Sequence, residues 1–483
     1  MSPLIQMMGR KQGAHAPRSP TTFADNVMNS SLRTCRLVTL GCKVNQYETQ
    51  YVKEALELHG WREAQAGEQA ELCIINSCTV THEADAKGRQ LVRRLAQQNR
   101  GAAVVVMGCY ATRDPETVAR LPGVTHVITD KNRLGEELRR YGVAELPRGI
   151  ARFDGHQRAF VKVQNGCLLN CSYCIIPHVR PALRSRSVDD IEREVAGLVA
   201  RGCREVVLTG IHLGHYGIDL SRGKPRSEWQ RLAQLVDRLC DLDGDFRIRL
   251  SSLEAAEVRR DLIDVMARNP RLCPHLHLCL QSGSDRVLRA MKRRYTRRGF
   301  LERCRDLRQA LDRPALTTDV IIGFPGETDA DFEETCDVLR VGGFCKVHIF
   351  SFSARAGTPA ADLTQRVPPH IVHERHQRLL DLEAELAANY ARTLLGRRLD
   401  VLVEATKAQR AGHVRGTSCR HVAVELRGLT DALIGQIVPV HVTEIHDGVL
   451  IGEPIAQEGP ITSTSAPAAN VPARITLPVL IGG

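Results

Sequence analysis

Three cysteines fall within eight residues, in Val163-Gln164-Asn165-Gly166-Cys167-Leu168-Leu169-Asn170-Cys171-Ser172-Tyr173-Cys174, a C-x3-C-x2-C spacing. An apolar run from Ala159 to Val163 leads in like a strand, and Asn165-Gly166 turns the chain. Thiolates are soft ligands that select zinc, Cu(I) or iron–sulfur clusters. A structural zinc site takes four ligands, usually as two pairs. No second pair lies nearby, and His178, after Ile175-Ile176-Pro177, is the nearest extra candidate. Three ligands on a four-iron cube leave one iron open to an outside ligand, as a catalytic centre requires. Zinc or simply buried thiols are the plainer readings of the same spacing.

Composition narrows the setting. A chain of 483 residues holds roughly two to four domains, and 43% hydrophobic content supports packed cores. The net charge of +11 favours an anionic partner such as nucleic acid. The N-terminus carries no apolar signal core, and no run approaches the ~20 apolar residues of a membrane span. We therefore expect a cytoplasmic protein without a membrane. In a reducing compartment its sixteen cysteines point to metal or catalysis rather than a disulfide scaffold, with the surplus buried.

Residues 1–33 mix Met, Ser, Pro, Arg and Gly without period and are expected to be a disordered extension. From 34 to 150, strand-like runs (Arg36–Leu40, Leu72–Ile75, Ala103–Met107, with Val127-Ile128 opening a fourth) alternate with helical ones (Gln46–His59, Ala84–Gln98). That alternation predicts a parallel sheet flanked by helices. Cys42, Cys78 and Cys109 each follow one of these strands, 36 and 31 positions apart. The carboxyl ends of parallel strands share one edge, where ligands bind, so the three should converge. Cys73 inside a strand and Cys35 before one should not reach that edge. Convergence suggests a second three-thiolate iron–sulfur site, against the alternative of three small buried residues.

Residues 151–157 read as a linker. Beyond it, six strand candidates (Ala159–Val163, Glu205–Leu208, Phe246–Leu250, His275–Leu280, Thr317–Ile322, Val347–Phe350) alternate with helical stretches such as Asp189–Ala200, Trp229–Leu239 and Phe332–Leu339. Six βα units imply an incomplete (β/α)6 barrel over 151–395, its site at the C-terminal strand ends. His370–Leu395 is a long amphipathic helix. The period then changes to two (Leu399–Val403, His421–Leu426, Val438–Val442, Val449–Gly452), predicting a small β-barrel over 396–456. Residues 457–483, rich in Ala, Pro and Thr, are expected to be a disordered tail.

C-x3-C-x2-C after a first strand resembles the radical S-adenosylmethionine (SAM) superfamily. With Ile175-Ile176-Pro177, Arg184-Ser185-Arg186-Ser187, Gly41-Cys42-Lys43-Val44-Asn45-Gln46 and Asn76-Ser77-Cys78-Thr79-Val80-Thr81, the chain resembles the methylthiotransferases, and its last unit a TRAM domain, a small RNA-binding β-barrel. The resemblance covers roughly 34–455. It implies an α/β protein with an N-terminal parallel-sheet methylthiotransferase domain, a radical SAM barrel and the TRAM unit. It implies two [4Fe-4S] clusters: Cys167, Cys171 and Cys174 hold the one whose free iron binds SAM, and Cys42, Cys78 and Cys109 hold an auxiliary one that carries sulfur. One electron, from a flavodoxin- or ferredoxin-like donor, cleaves SAM to a 5'-deoxyadenosyl radical. A second SAM supplies the methyl group, and CH3-S replaces an unreactive hydrogen.

The resemblance places SAM contacts at the strand ends: Gly210 by its main chain, Ser251 and Glu254 on ribose or methionyl groups, Gln281, and Gly323 on the adenine side. The family usually shows Arg-Gly after Ile-Ile-Pro, whereas here Arg180 precedes Pro181. Arg184 and Arg186 suit a carboxylate or phosphate. The run from Arg286 to Arg308, with Tyr295 in it, is either a solvated face or a guide for an RNA backbone. Gly-Cys-Lys-Val-Asn-Gln and Leu208-Thr209-Gly210-Ile211-His212-Leu213-Gly214 most resemble the enzymes acting on N6-threonylcarbamoyladenosine at position 37 of tRNA. The rivals act on isopentenyladenosine of tRNA or on a ribosomal-protein aspartate. From another class, a non-catalytic zinc-containing RNA-binding protein is the alternative.

Overall fold

The computed structural model describes residues 32–428 and 431–455. The extension read at 1–33 and the tail read at 457–483 lie outside these residues, except that Arg33 already opens the first strand. Strands β1 (Arg33–Thr39), β2 (Trp61–Glu63), β3 (Leu72–Ser77), β4 (Ala103–Gly108) and β5 (Val124–Ile128) form one sheet in the order β2-β1-β3-β4-β5, every pair parallel. The two faces follow from the period of two. Leu72 and Ile74 of β3 pack with Val52, Ala55 and Leu56 of helix Lys43–Glu57. Cys73 and Ile75 pack on the other face with Leu91, Val92 and Leu95 of helix His82–Gln98. One expectation needs correction: Cys35 lies inside β1 rather than before it. The edge strand β2, three residues long, is too short to show a period and gave no signal in the sequence.

Strands β6 (Ala159–Asn165), β7 (Arg184–Ser185), β8 (Glu205–Gly210) and β9 (Arg247–Leu250) make a second sheet, parallel except for the antiparallel edge β7. Strands β10 (His275–His277), β11 (Ala315–Ile322) and β12 (Lys346–Ser351) make a third, all parallel. Single parallel bridges, Ile248 to Leu272 and Leu253 to Leu278, join β9 to the β10 segment. The result is an incomplete barrel of six parallel strands with β7 added antiparallel at its edge, and the N-terminal helix Lys43–Glu57 packs against β6 and β8. The expected strand His275–Leu280 stops at His277, and beyond it Leu278 and Gln281 pair only by isolated bridges.

Strands β13 (Arg398–Glu404), β14 (His413–Ser418), β15 (Ala423–Arg427), β16 (Ile437–His446) and β17 (Val449–Pro454) close a small barrel in the order β13-β14-β15-β17-β16. The sequence reading missed β14, whose Arg415, Gly416 and Thr417 give no apolar alternation.

Buried charge joins the three units. At the N-terminal ends of the barrel strands, Arg247 donates to the carbonyls of Asp400 and Thr417, and Arg249 to those of Ser418 and Cys419, at 2.7–3.1 Å. Both guanidiniums also hold the fully buried Glu205. Burial raises that carboxyl, but Arg249, Arg247 and Arg158 outweigh it and keep Glu205 well below the usual carboxylate range. At the other end, Arg355 after β12 donates to Thr79 at 3.0 Å and Asp85 at 2.6 Å in the N-terminal unit, all three buried. Arg113 also reaches Asp85 at 3.0 Å, so losing Arg355 leaves that carboxylate one of its two cations. We expect Arg355→Ala to cost about 2 kcal/mol, the scale of buried hydrogen bonds to a charged group, read as a lowered thermal midpoint and faster proteolysis between the N-terminal unit and the barrel.

Candidate active site

The first thiol set sits at the carboxyl edge of the N-terminal sheet. Cys42 is the N-cap of helix Lys43–Glu57, Cys78 directly follows β3, and Cys109 begins helix Cys109–Arg113 after β4. The tight turns rest on two glycines. Gly41 (φ 102°) admits Cys78, whose Sγ would lie 3.0 Å from an added Cβ, and Gly108 (φ 104°) lies where a Cβ would meet the Ser77 carbonyl at 2.3 Å. Because β1, β3 and β4 are neighbours in the parallel sheet and the Gly41 and Gly108 turns abut Cys78 and Ser77, the three cysteines share one edge. Cys42 is exposed, while Cys78 and Cys109 are buried.

The second set follows β6. Cys171 feels Cys167, and Cys174 feels both. Donors point at the sulfurs. His212 Nδ1 lies 3.3 Å from Cys167 Sγ, the Leu169 amide 3.4 Å from the same atom, and an Arg293 guanidinium nitrogen 3.3 Å from Cys171 Sγ. Despite burial, the contacts to Cys167 and Glu257 push His212 up to about 9. Its stacked neighbour His215, ring centroids 3.7 Å apart, is pushed down to about 4 by burial and by His212.

The two sets adjoin. Cys109 packs with Ile175, Ile176 and Val179, directly after Cys174. Arg180 spans the junction, its Nε 3.4 Å from Cys109 Sγ. It donates to Glu48 at 2.8 and 2.9 Å, Asn45 at 2.8 Å and Asn165 at 2.6 Å. The unusual Pro181 fits here, because Arg180 has left the helical region (φ −145°, ψ 63°). Lys131 and Lys162 also reach Glu48, so three cations face one carboxylate. That surplus of positive charge beside Cys109 and Cys42 matches the negative charge of a thiolate-ligated cluster, as do the donors on Cys167 and Cys171. The residues present therefore fit two iron–sulfur groups. All sixteen cysteines, each among the described residues, are free of disulfides.

The expected SAM contacts divide by placement. Gly210 ends β8, where a Cβ would lie 2.8 Å from Gln164 Oε1. Ser251 follows β9 with a buried hydroxyl that has no hydrogen-bond partner. Glu254 pairs with Arg293 at 2.6 Å and is thereby linked to Cys171, and burial raises its carboxyl against the opposing Arg293. Gln281 holds a left-handed φ of 65°, a costly backbone for this residue type and one that often marks functional sites. Gly323 donates its amide to Glu327 at 2.7 Å, and a Cβ there would strike Val372 of helix Pro369–Arg392.

Sequence reasoning did not single out His212, Glu257 or Arg293 as site residues. His212 lay within a quoted motif, but only the fold brings Glu257 to it. The basic run also needs correction as a single face. Arg293 turns inward, Tyr295 donates to the Cys279 and Leu280 carbonyls, and Arg286 pairs with Asp331. Arg289, Lys292, Arg294, Arg298 and Arg305 remain exposed. Arg186 meets a carboxylate of its own chain, Glu194.

Family models match three consecutive stretches: the Radical SAM superfamily over residues 161–339, Uncharacterized protein family UPF0004 over 34–129, and the TRAM domain over 392–455. Among solved structures, a radical S-adenosylmethionine methyltransferase, TsrM, from Kitasatospora setae has a similar fold (TM-score 0.50, 16% identity, 68% of this chain and 77% of that one). Fold and matches together define a radical SAM enzyme, one that uses SAM and a [4Fe-4S] cluster. The Threonylcarbamoyladenosine tRNA methylthiotransferase MtaB of Chlamydia pneumoniae is 38% identical over 87% of this chain and 98% of its own length. That of Bacillus subtilis is 35% identical over 85% and 94%. A tRNA-2-methylthio-N(6)-dimethylallyladenosine synthase of Mycolicibacterium paratuberculosis is 34% identical over 88% and 87%. The chain belongs to the radical SAM methylthiotransferase family, which sets aside the non-catalytic zinc module.

Exposure and thiol acidity set an order of reactivity. In cluster-free protein we expect iodoacetamide to label Cys42 first. Cys35, Cys304 and Cys345 should resist, because burial pushes each thiol up to about 12. Peptide mass mapping reads the order.

Proposed function

We propose that the chain methylthiolates C2 of N6-threonylcarbamoyladenosine at position 37 of tRNA. The observation that carries this reading is the junction of the two thiol sets through Arg180, beside relatives named for that nucleoside. In the reading, Cys167, Cys171 and Cys174 hold the SAM-binding cluster, and Cys42, Cys78 and Cys109 hold a second [4Fe-4S] cluster. The bound groups supply reductive SAM cleavage on one side and a methylated sulfur on the other.

The chain's own residues have stated tasks. His212, the Leu169 amide and Arg293 donate to the sulfurs of Cys167 and Cys171 and orient them. Arg180 holds Cys109 against the barrel. Gly210, Ser251, Glu254, Gln281 and Gly323 contact SAM, and the TRAM unit with the exposed arginines of 289–305 takes the tRNA backbone. The domains run over 34–150, 151–395 and 396–456. A flavodoxin- or ferredoxin-like protein delivers the electron, and the enzyme works in the cytoplasm. Among the described residues, no helix is long and apolar enough to cross a membrane. The second reading, action on dimethylallyladenosine, rests on the relatives so named at 34% identity.

Anaerobically reconstituted protein is expected to bind about eight irons per chain. Cys42→Ala with Cys78→Ala and Cys109→Ala should halve the iron, retain reductive SAM cleavage and abolish methylthiolation. Nucleoside mass spectrometry of tRNA from a deletion strain should lack 2-methylthio-N6-threonylcarbamoyladenosine. Loss of the dimethylallyl product instead would support the second reading.

A further inference from the structure

The inner face of the third sheet carries a set of metal-type donors that the reaction above does not use. Thr317 of β11 pairs with His277 of β10, and Asp319, two residues on, pairs with His348 of β12. Their strand neighbours Leu276, Leu278, Val320, Ile322, Val347 and Ile349 fill the core with the surrounding helices. Alternation therefore turns His277, Asp319 and His348 to the lumen together, where all three are half-buried. One ligand-type atom from each, two imidazole nitrogens and a carboxylate oxygen, lie within 4.8 Å of one another.

The geometry inside the set is that of atoms sharing a third partner. His277 Nε2 lies 3.1 Å from Asp319 Oδ2, yet it is buried without a hydrogen bond, so nitrogen and carboxylate are close but not aimed at each other. Two ligands held at ~2.1 Å by one ion stand about 3 Å apart in that relation. The ring is fixed from behind. His277 Nδ1 lies 3.0 Å from Thr317 Oγ1, which in turn lies 3.3 Å from His275 Nε2. With the Thr317 hydroxyl donating to His275, the Nδ1–H of His277 donates to Thr317 and Nε2 keeps its lone pair. A bare lone pair and a carboxylate at this distance repel unless a cation lies between them. Metal-bound histidines carry this kind of outer hydrogen bond. Across the site the His348 ring, 5.7 Å from that of His277, makes no hydrogen bond among the described residues. Cys279, two residues beyond His277, brings its Sγ to 3.9 Å from the same Asp319 oxygen.

We propose that His277, Asp319 and His348 form a third metal site, separate from both cysteine sets, that holds a divalent transition-metal cation of the zinc type. Imidazole suits zinc, copper, iron and nickel, whereas magnesium and calcium take oxygen ligands. Three protein ligands leave a coordination position open toward the lumen. The site is independent of which nucleoside the enzyme modifies. A protonated His277 paired with Asp319 would hold the same two groups together without a metal, and zinc binding decides between the two.

The test uses anaerobically reconstituted holoenzyme with its full iron content, incubated with zinc and desalted. Elemental analysis should find about one zinc per chain beyond the iron. Zinc-edge anomalous diffraction should place it within bonding distance of His277, Asp319 and His348. Asp319→Asn and His348→Gln should each lose that zinc, with iron content and cluster spectra unchanged. Thr317→Val keeps the ligands and removes only the hydroxyl behind His277. It should weaken zinc binding about 10-fold or more, read by competition with a chelating dye. Holoenzyme that keeps no zinc overturns the proposal, as does zinc found only at the cysteines. Equal zinc in the wild type and both ligand variants overturns it too. Where a variant folds poorly, the presence or absence of the wild-type zinc peak at the three side chains decides.

Discussion

The Arg180 guanidinium is where the N-terminal unit and the barrel are tied between the two sets of thiols. It lies against Glu48 and Asn45 of one unit, Asn165 of the other, and the sulfur of Cys109. A guanidinium offers five donors in a fixed plane, and here that plane sets the position of helix Lys43–Glu57 against β6. Because Cys42 caps that helix, the same contact fixes where the exposed thiol stands at the edge of the N-terminal sheet. Burial opposes every charge in this cluster, so the pair holds only while all partners are present. Glu48 is kept well below the usual carboxylate range because Arg180, Lys131 and Lys162 outweigh its burial.

From that junction outward, each unit has a separable task. The N-terminal sheet presents three thiols on one edge. The barrel presents three more with hydrogen-bond donors on their sulfurs. The C-terminal barrel closes the opposite end, where Arg247 and Arg249 reach out of the lumen to carbonyls of β13 and β14 and the residues just after. The lumen is thus walled at one end by the RNA-binding type of fold and at the other by cysteines, with His277, Asp319 and His348 between.

The thiols were legible because cysteine placement obeys a simple rule: a residue after a parallel strand lies on the ligand edge. The barrel and the closing β unit were legible from periodicity. What was not legible depends on partners distant in sequence. Arg180 belonged to a motif that departs from the usual one at Pro181, and its role appears only when Glu48, 132 positions away, is brought beside it. Arg293 looked like one member of a basic run, but its contacts to Cys171 and Glu254 turn it inward. The edge strand β2 and the polar strand β14 were missed because one is too short, and the other too polar and glycine-bearing, to show alternation.

The central claim is that two separately held iron cubes face one cavity between the N-terminal sheet and the barrel. Iron-edge anomalous diffraction from crystals of the anaerobically reconstituted enzyme tests it most directly. The account predicts two four-iron peaks, one within bonding distance of Cys42, Cys78 and Cys109 and the other of Cys167, Cys171 and Cys174, with open space between them. A single iron peak, or a second one turned away from the barrel lumen, would contradict it.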